Sequence, residues 1–311
     1  MRKVFIVIII LLPAWVLGQN TPHASLFQYN QMMVNPGYAG MDDGIAINTL
    51  VRNQWMGFDG APSNQRFNAH MPFKLFEQQH GVGLTLLNDE IGFETNIAVG
   101  INYAYQRELS EGKFGIGVGF GFMNQSLEAS WIGRDGTSDP SLPQGDDKPI
   151  YFDLNTGIYY KTDKLFFGFS LNHLTAPEVK YQDLEVSGLY PYYQRAAFLT
   201  FGYKYQLTNP LFEVEPSMMV YTTGSSVQFV IDGLLYYKSR FWGGLGYRMI
   251  DAVSILAGAE ILDGLNIGVA YDIPTSQMVY GTVGSFEFTV KYVFKVDVEK
   301  DNRIFRSVRF L

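Results

Sequence analysis

The sequence predicts an all-β fold, a transmembrane antiparallel β-barrel of about 14 strands with a nonstrand plug or latch segment at its N-terminus. Three observations favour this fold. Bulky apolar residues alternate with small or polar ones along most of the chain. The alternating segments mostly run for about 9 to 13 residues, which suits a tilted crossing of a bilayer. Aromatic residues make up 15% of the 311 residues. A soluble β-sandwich would also alternate, but its strands are typically about 5 or 6 residues long.

The chain begins with the features of a secretory signal peptide. Arg2 and Lys3 precede an almost unbroken apolar run, residues 4–16, and short residues precede a predicted cut before Gln19. The run is too short to cross a bilayer as a helix, which needs about 20 residues. We therefore expect residues 1–18 to be removed on export. An exported barrel of this kind is expected in the bacterial outer membrane.

Composition excludes several classes of partner and of site. Removal of the signal peptide would leave 21 basic residues against 30 acidic ones, so nucleic acid is not a predicted partner. The chain contains no Cys, which excludes disulfides, thiolate metal sites and Cys nucleophiles. An exported chain without disulfides needs another source of stability, and a large closed sheet can supply it.

Residues 19–43 are predicted to form the plug or latch segment. Their second half, within "NQMMVNPGYAGMDDG", is too rich in Asn, Pro and Gly to be a strand, yet Met32, Met33, Val34 and Tyr38 favour burial. Nonstrand backbone at membrane depth must be enclosed by protein or water. We therefore expect this segment to lie in or under the barrel lumen, where its Asn-Pro-Gly sequence turns the chain into the first strand.

Residues 44–296 contain the predicted barrel strands. In "FGIGVGFGF", residues 114–122, every second residue is bulky and apolar and Gly occupies the opposite face. The segments with such alternation lie at residues 44–56, 62–71, 81–88, 95–107, 113–124, 150–160, 164–173, 194–206, 211–222, 226–238, 240–248, 252–261, 264–274 and 284–295. Residues 297–311 are then predicted to be a C-terminal periplasmic tail.

The predicted connections agree with an up-and-down barrel. If the chain enters the first strand from the periplasm, odd-numbered connections lie outside the cell. The two longest connections, 125–149 and 174–193, are the fifth and seventh, so both are expected outside. The first of them supplies a candidate partner-docking loop with Trp131, Arg134, Asp135 and Asp139. Its acidic residues could instead bind calcium, although solvated acidic loops are commoner.

Polar residues on the face opposite the apolar one are expected to point into the lumen. In the first two strands these are Asn48, Arg52, Asn64, Arg66, Asn68 and His70. Later strands add Lys204, Glu213, Glu215, Asp232, Glu260, Asp272, Glu287 and Lys291. Charges of both signs facing one another favour a paired, filled interior over a channel ring, which would use one sign.

No catalytic, cofactor or metal site is predicted. The four His residues, at positions 23, 70, 80 and 173, lack metal-ligand spacing. Ser170 and His173 are close in sequence, but their odd separation places them on opposite faces of a strand, so they are not expected to act as nucleophile and base. No helix start follows the Gly repeats, as a phosphate-binding loop would require. We expect no enzyme.

Two stretches near the N-terminus, "LFQYNQMMVNPGYAG" and "RNQWMGFDGAPSNQRFNAHMPF", resemble the PorP/SprF family of outer-membrane proteins. The motifs are a Gln-Tyr pair, an Asn-Pro-x-Tyr-Ala-Gly box, a Gln-Trp pair, a following Pro, and a His-x-Pro end to the second strand. Here they are Gln28, Tyr29, Asn35, Pro36, Tyr38, Ala39, Gly40, Gln54, Trp55, Pro62, His70 and Pro72. Gly37 stands where a small residue such as Ala is expected.

The resemblance implies a barrel that works with the type IX secretion machinery. Such a protein would deliver, or hold at the cell surface, a secreted client that carries a C-terminal sorting domain, often a gliding adhesin. Its expected partners are that client, the machinery and outer-membrane lipid, and no cofactor is implied. The alternative is a plugged transport channel for small or hydrophobic solutes, because other 14-stranded barrels with N-terminal plugs carry hydrophobic compounds.

Overall fold

The computed structural model describes residues 24–127, 149–177, 194–224 and 226–295. Three short helical turns, Phe27–Tyr29, Gln31–Val34 and Pro36–Tyr38, precede the first strand, and a fourth, Gln277–Tyr280, precedes the last. The strands in chain order are β1 (Ile45–Asn53), β2 (Ser63–Leu75), β3 (Gln78–Ile91), β4 (Glu94–Leu109), β5 (Gly112–Leu127), β6 (Ile150–Lys161), β7 (Leu165–Asn172), β8 (Ala196–Tyr203), β9 (Tyr205–Gln206), β10 (Phe212–Thr223), β11 (Ser226–Tyr237), β12 (Phe241–Arg248), β13 (Ala252–Leu262), β14 (Leu265–Pro274) and β15 (Ser285–Phe294).

The strands close into an antiparallel barrel. Strands that follow one another along the chain pair side by side, and β1 pairs with β15, from Ile45 opposite Phe294 to Asn53 opposite Phe286. The two-residue β9 continues β8, and both pair with β10. The wall therefore has 14 strands, which confirms the predicted fold class. Closure gives every full strand described here a neighbour on each side, so its backbone groups are satisfied at membrane depth.

Alternation along each strand separates an apolar outer face from the lumen. On β5, the side chains of Ile116, Phe120 and Phe122 are 48–60% exposed on the outside, whereas the glycines between them face inward and are mostly buried. Among the described residues, no helix has the length and apolarity that a membrane-spanning helix requires. The exposed apolar side chains form the band that contacts lipid in such barrels.

Several strands differ in length from the prediction. β2 continues to Leu75 and β3 already begins at Gln78, because a turn of only two residues joins them. Phe76 and Glu77 in this turn have φ angles of 50° and 61°, the left-handed conformation that many two-residue hairpin turns use. Neither residue type signals such a turn, so the sequence pattern placed the end of β2 too early, at residue 71, and the start of β3 too late, at residue 81. Conversely, β1 ends at Asn53 rather than at residue 56.

The two ends of the barrel differ in the length of their connections. Two-residue turns 76–77, 110–111 and 263–264 lie at the end where β1 begins. The opposite end also has two-residue connections, 92–93 and 224–225, but it carries the longer connections 54–62, 128–149, 173–195 and 275–284. Long connections are typical of the extracellular side. The end where β1 begins is therefore called the periplasmic end, and the opposite end the outer end.

The hydrophobic core lies inside the lumen, around the N-terminal segment. Three clusters of buried apolar residues occupy the interior, and each contains part of this segment: Leu26 in the first, Phe27 in the second, and Met32 and Tyr38 in the third. The wall contributes residues such as Leu50 and Phe198. Residues 24–43 are therefore named the lumen segment.

Candidate functional site: the lumen segment and its wall

The lumen segment descends from the outer end to the periplasmic end. Ser25 contacts Arg52, near the outer end of β1, whereas Asp42 contacts Lys291, near the periplasmic end of β15. β1 then starts at the periplasmic end. The chain before it, however, has already reached the outer half of the lumen. The segment therefore lines the lumen along its length rather than closing it from below.

An Asn-Pro-Gly turn shapes the middle of the segment. The side chain of Asn35 accepts a hydrogen bond from the backbone N–H of Gly37 at 2.9 Å and so caps the helical turn Pro36–Tyr38. Pro is suited to the first position of such a turn, because its N–H would have no partner there. Asn35 also donates from its amide to the carbonyl of Ile158 at 2.9 Å. The Asn35 side chain thereby holds the turn together and also attaches it to β6.

Inward glycines of the wall form a groove for this turn. A Cβ on Gly117 of β5 would overlap the backbone of Pro36 and Gly37, and one on Gly115 would lie 2.5 Å from the Gly37 carbonyl oxygen. On β3, a Cβ on Gly81 would overlap the carbonyl of the residue before Gly40. The glycines that alternate with bulky residues along β5 therefore let the backbone of the lumen segment approach the wall.

Gly40 is needed at its position for two reasons. Its φ angle is +75°, a conformation that L side chains rarely adopt. A Cβ there would also lie 2.6 Å from the Cα of Gly81. Its backbone N–H donates to Nδ1 of His70 at 3.1 Å. The final Gly of the Asn-Pro-x-Tyr-Ala-Gly box thus combines a turn, a close backbone contact and a hydrogen bond to β2.

Side chains of the wall satisfy backbone groups of the segment. The carbonyl of Val34 accepts from the hydroxyl of Ser170 at 2.5 Å and from the amide of Asn172 at 3.0 Å. The carbonyl of Ala39 accepts from the amide of Gln106 at 2.6 Å. Buried backbone groups that lack strand or helix partners need such bonds. Side chains of the wall therefore hold the main chain of the segment directly.

Four charged wall residues at the outer end form the outer cluster: Arg52 on β1, Arg248 on β12, Asp272 on β14 and Glu287 on β15. Arg52 lies 2.7 Å from Asp272 and 3.0 Å from Glu287, and Arg248 lies 2.9 Å from Asp272. All four side chains are at most 3% exposed. Buried charges of this kind are tolerated only when they are paired and hydrogen-bonded.

Ser25 connects the lumen segment to the outer cluster by hydrogen bonds. Its hydroxyl lies 2.8 Å from each carboxylate oxygen of Asp272, and the guanidinium groups of Arg52 and Arg248 donate to it at 3.1 and 2.8 Å. The backbone N–H groups of Ser25 and of the next residue donate to the two oxygens of Glu287 at 2.9 and 2.7 Å. The segment completes the hydrogen bonding of the cluster.

A second group of charges, the periplasmic cluster, surrounds Asp42. The ammonium groups of Lys161 and Lys291 each lie 2.7 Å from its carboxylate, His70 Nε2 lies 3.5 Å away, and the hydroxyl of Tyr38 donates at 3.2 Å. Burial alone would raise the pKa of Asp42. The two ammonium groups and His70 outweigh it and hold that pKa well below its usual range.

Between the two clusters, polar and aromatic contacts hold the segment. The amide of Gln28 donates to Asp232 at 2.7 Å, and the amide of Asn68 donates to the side-chain oxygen of Asn30 at 2.8 Å. The ring of Tyr29 stacks on Trp242 with a centroid distance of 5.4 Å. The contacts come from β2, β11 and β12, so the segment is attached to opposite sides of the barrel.

The polar residues that were predicted to face the lumen on the first two strands lie inside the barrel and are buried. They are Asn48, Arg52, Asn64, Arg66, Asn68 and His70.

A cavity of about 40 Å³ remains between Met33 of the segment and the wall. Asn102 and Asn172 line it, and each has a buried amide atom without a protein partner. A polar space of this size suits about two or three water molecules rather than a solute.

A family model described as "Type IX secretion system membrane protein PorP/SprF" matches residues 16–292. The chain belongs to the PorP/SprF family. This confirms the resemblance and identifies an outer-membrane β-barrel of type IX secretion. No curated protein matches the chain.

Solved structures similar to this PorP/SprF chain are other barrels. Omp33 of Acinetobacter baumannii has 6% identity and a TM-score of 0.48, over 82% of this chain and 100% of that one. The toluene transporter TbuX of Ralstonia pickettii has 13% identity and a TM-score of 0.44, over 85% and 92%. The KdgM porin has 8% identity and a TM-score of 0.38, over 80% and 99%.

Most motif residues that carry the PorP/SprF resemblance lie in two places, whereas His70 and Pro72 lie on β2. Gln28, Tyr29, Asn35, Pro36, Tyr38, Ala39 and Gly40 all belong to the lumen segment. Gln54 and Trp55 instead lie in the first outer connection, where their backbone N–H groups donate to the Pro62 carbonyl at 2.8 Å and to the Ser285 hydroxyl at 3.1 Å. The motif therefore combines a lumen part with an outer part.

Several residues that attach the lumen segment to the wall were not predicted as site residues from the sequence. Ser25 and Asp42 anchor its two ends, and Arg248 completes the outer cluster. Two sequence signals could have indicated them. The run of inward glycines on β5 leaves space for another backbone, and Asp42 and Asp43 end an otherwise uncharged stretch, residues 24–41.

The candidate partner-docking residues Trp131, Arg134, Asp135 and Asp139 lie outside the described residues. The same holds for the alternative calcium site in that loop. Within the described ranges, no group of three or more His, Asp or Glu residues is arranged to hold a metal ion.

Proposed function

We propose that this PorP/SprF barrel supports type IX secretion and holds at the cell surface a secreted partner with a C-terminal sorting domain, such as a gliding adhesin. Residues 1–18 act as the signal peptide in this proposal, residues 19–43 as the plug or latch, residues 44–296 as the barrel and residues 297–311 as a periplasmic tail. The observation that carries the proposal is the family match over residues 16–292.

The filled lumen favours a supporting role over a channel. The outer cluster pairs two guanidinium groups with two carboxylates, and the periplasmic cluster pairs Asp42 with Lys161 and Lys291. A selective channel would instead present a ring of one sign of charge to a water-filled path. While the lumen segment fills the interior, the barrel offers its rim to a partner.

The outer rim includes a rigid surface on which a partner could be held. Connections 54–62 and 275–284 are joined by backbone hydrogen bonds from Met56 N–H to the Gly284 carbonyl at 2.8 Å and from Val283 N–H to the Met56 carbonyl at 3.0 Å. Tyr280 projects from this surface with 92% exposure. In the proposal, the loop with Trp131, Arg134, Asp135 and Asp139 contributes to the same docking face.

We propose no catalytic role for the chain. Ser170 donates its hydroxyl hydrogen bond to the carbonyl of Val34 in the lumen. His173 lies at the outer end, with Nδ1 2.9 Å from Asp153. The Ser170 hydroxyl and the His173 imidazole therefore make separate structural contacts.

Purification of the barrel from its native outer membrane tests the proposal. We expect one large secreted protein to co-purify with the detergent-extracted barrel and to be lost when residues 130–145 are deleted. A matched control replaces Phe76, an exposed residue of a periplasmic turn, with Ser and should leave the partner bound. Absence of any secreted partner, together with measurable conductance of the purified barrel in planar bilayers, would favour the transport-channel alternative.

A further inference from the structure

The contacts of the lumen segment are those of a bound peptide. Wall groups accept its backbone N–H at Ser25 and Gly40, and donate to its carbonyls at Val34 and Ala39. A groove of wall glycines accommodates its backbone, and the clusters at the two ends bind its polar side chains. Within the described chain, its covalent link to the barrel is the peptide bond that leads into β1.

We propose that the lumen is a peptide receptor whose site is occupied by the protein's own N-terminal segment. The ligand class is a peptide of the same chemistry: uncharged over most of its length, with a small hydroxyl residue near one end, an Asx-Pro-Gly turn in the middle and a carboxylate near the other end. Such a peptide can bind in trans once the attached segment is displaced.

The charges of the wall support a carboxylate at one end of the ligand. At the outer end, Arg52 and Arg248 are balanced by Asp272 and Glu287, which also belong to the wall. An uncharged group such as Ser25 is sufficient there. At the periplasmic end, the wall supplies two ammonium groups, and the carboxylate that pairs them is that of Asp42. A peptide without this acid would leave two ammonium groups, on the partly exposed Lys161 and the largely buried Lys291, without a carboxylate partner, which is costly.

The attached segment acts as an inhibitor of its own receptor. A ligand that is tethered by a short link has an effective concentration that is typically in the millimolar range. A free peptide of similar intrinsic affinity therefore competes poorly while the link is intact. Cleavage of the link removes this advantage and converts the segment into an exchangeable ligand.

A cleavable full-length barrel tests the inference. A recognition sequence for a specific protease is inserted between Asp43 and Gly44, at the periplasmic end, where the Asp43 side chain is 84% exposed. The folded barrel is cut in detergent and then incubated with a synthetic peptide of residues 24–43 that carries a fluorophore at its C-terminus. We expect the labelled peptide to replace the cut segment with a stoichiometry of one per barrel, and no replacement in the uncut protein.

Two neighbouring aspartates supply a matched pair of peptides. The peptide with Asp42→Asn should compete roughly tenfold or more weakly, because the Asp42 side chain is only 7% exposed and pairs with both Lys161 and Lys291. The peptide with Asp43→Asn should compete like the parent, because its ion pair with Lys113 is exposed. Failure of the cut segment to exchange from a folded barrel, equal competition by both peptides, or unfolding of the barrel on release of the segment would overturn the proposal.

Discussion

Replacement of Gly117 by Ala tests whether the lumen segment is seated on β5. A Cβ at this position would overlap three backbone atoms of Pro36 and Gly37. These atoms belong to a turn that is held by the side chain of Asn35 and cannot rotate away as a flexible side chain could. The substitution must therefore either displace the segment or distort the strand.

The expected change in the free energy of unfolding is the sum of two opposing effects. Insertion of an extra group into a packed interior typically costs about 1 to 3 kcal/mol. Replacement of Gly by Ala in a strand recovers roughly 0.5 to 1 kcal/mol of backbone entropy. Gly121 lies on the same strand and face, and a Cβ there meets nothing closer than 3.5 Å. Gly121→Ala therefore changes only the backbone entropy. The free energy of unfolding of Gly117→Ala should then be lower than that of Gly121→Ala by the cost of the steric clash, about 1 to 3 kcal/mol.

Urea unfolding of the two variants in lipid vesicles provides the assay. With Trp55 and Trp131 replaced by Phe in both variants, emission from Trp242 reports on the segment, because Trp242 is buried beneath Tyr29. We expect Gly117→Ala to unfold at lower urea concentration than Gly121→Ala and to show altered emission before global unfolding. Equal free energies of unfolding and equal emission in the two variants would refute the seating of the segment on β5.

Three further perturbations have defined outcomes. Val118→Arg should impair membrane insertion, because a basic residue at the lipid-facing midplane costs about 2 to 4 kcal/mol; a normal yield of heat-modifiable barrel would contradict the assigned face. Deletion of residues 24–38 should leave the 14 strands intact but open a conducting path, and equal, negligible single-channel conductance with and without the deletion would show that wall side chains close the lumen. Because the pKa of Asp42 is depressed, the stability from its ion pairs is fully present above about pH 4 and is lost only as pH falls further through the folded-state pKa; the loss of unfolding free energy in Asp42→Asn relative to the unsubstituted barrel should therefore be the same at pH 7 and at pH 5, and a difference between the two pH values would contradict the assigned ion pairs.

The faces of the strands could be predicted from the sequence because alternation is a local property. A side chain on a strand points away from those of its two neighbours, so the pattern "FGIGVGFGF" by itself separates a lipid face from a lumen face. The nonstrand character of "NQMMVNPGYAG", combined with its Met and Tyr residues, likewise predicts an enclosed segment. Each of these inferences needs only residues that are close together in the chain.

The partners of the lumen segment were decided by the tertiary structure. Ser25 meets Asp272 across 247 positions of sequence, and Asp42 meets Lys161 across 119. No local pattern specifies which inward residues of different strands lie at the same height, because that depends on the register of every intervening strand pair. The turn at Phe76 and Glu77, whose residue types do not favour a left-handed backbone, was likewise set by the strands that it joins.

The alternating glycines of β5 illustrate what the sequence determines and what only the tertiary structure determines. The sequence by itself determined that one face of this strand carries almost no side chains. Only the closed barrel decided that the vacant face receives the backbone of residues 36 and 37, because the groove exists only when β3, β5 and β6 curve around the same segment. Local periodicity determines which way a residue points, whereas closure of the sheet determines what it contacts.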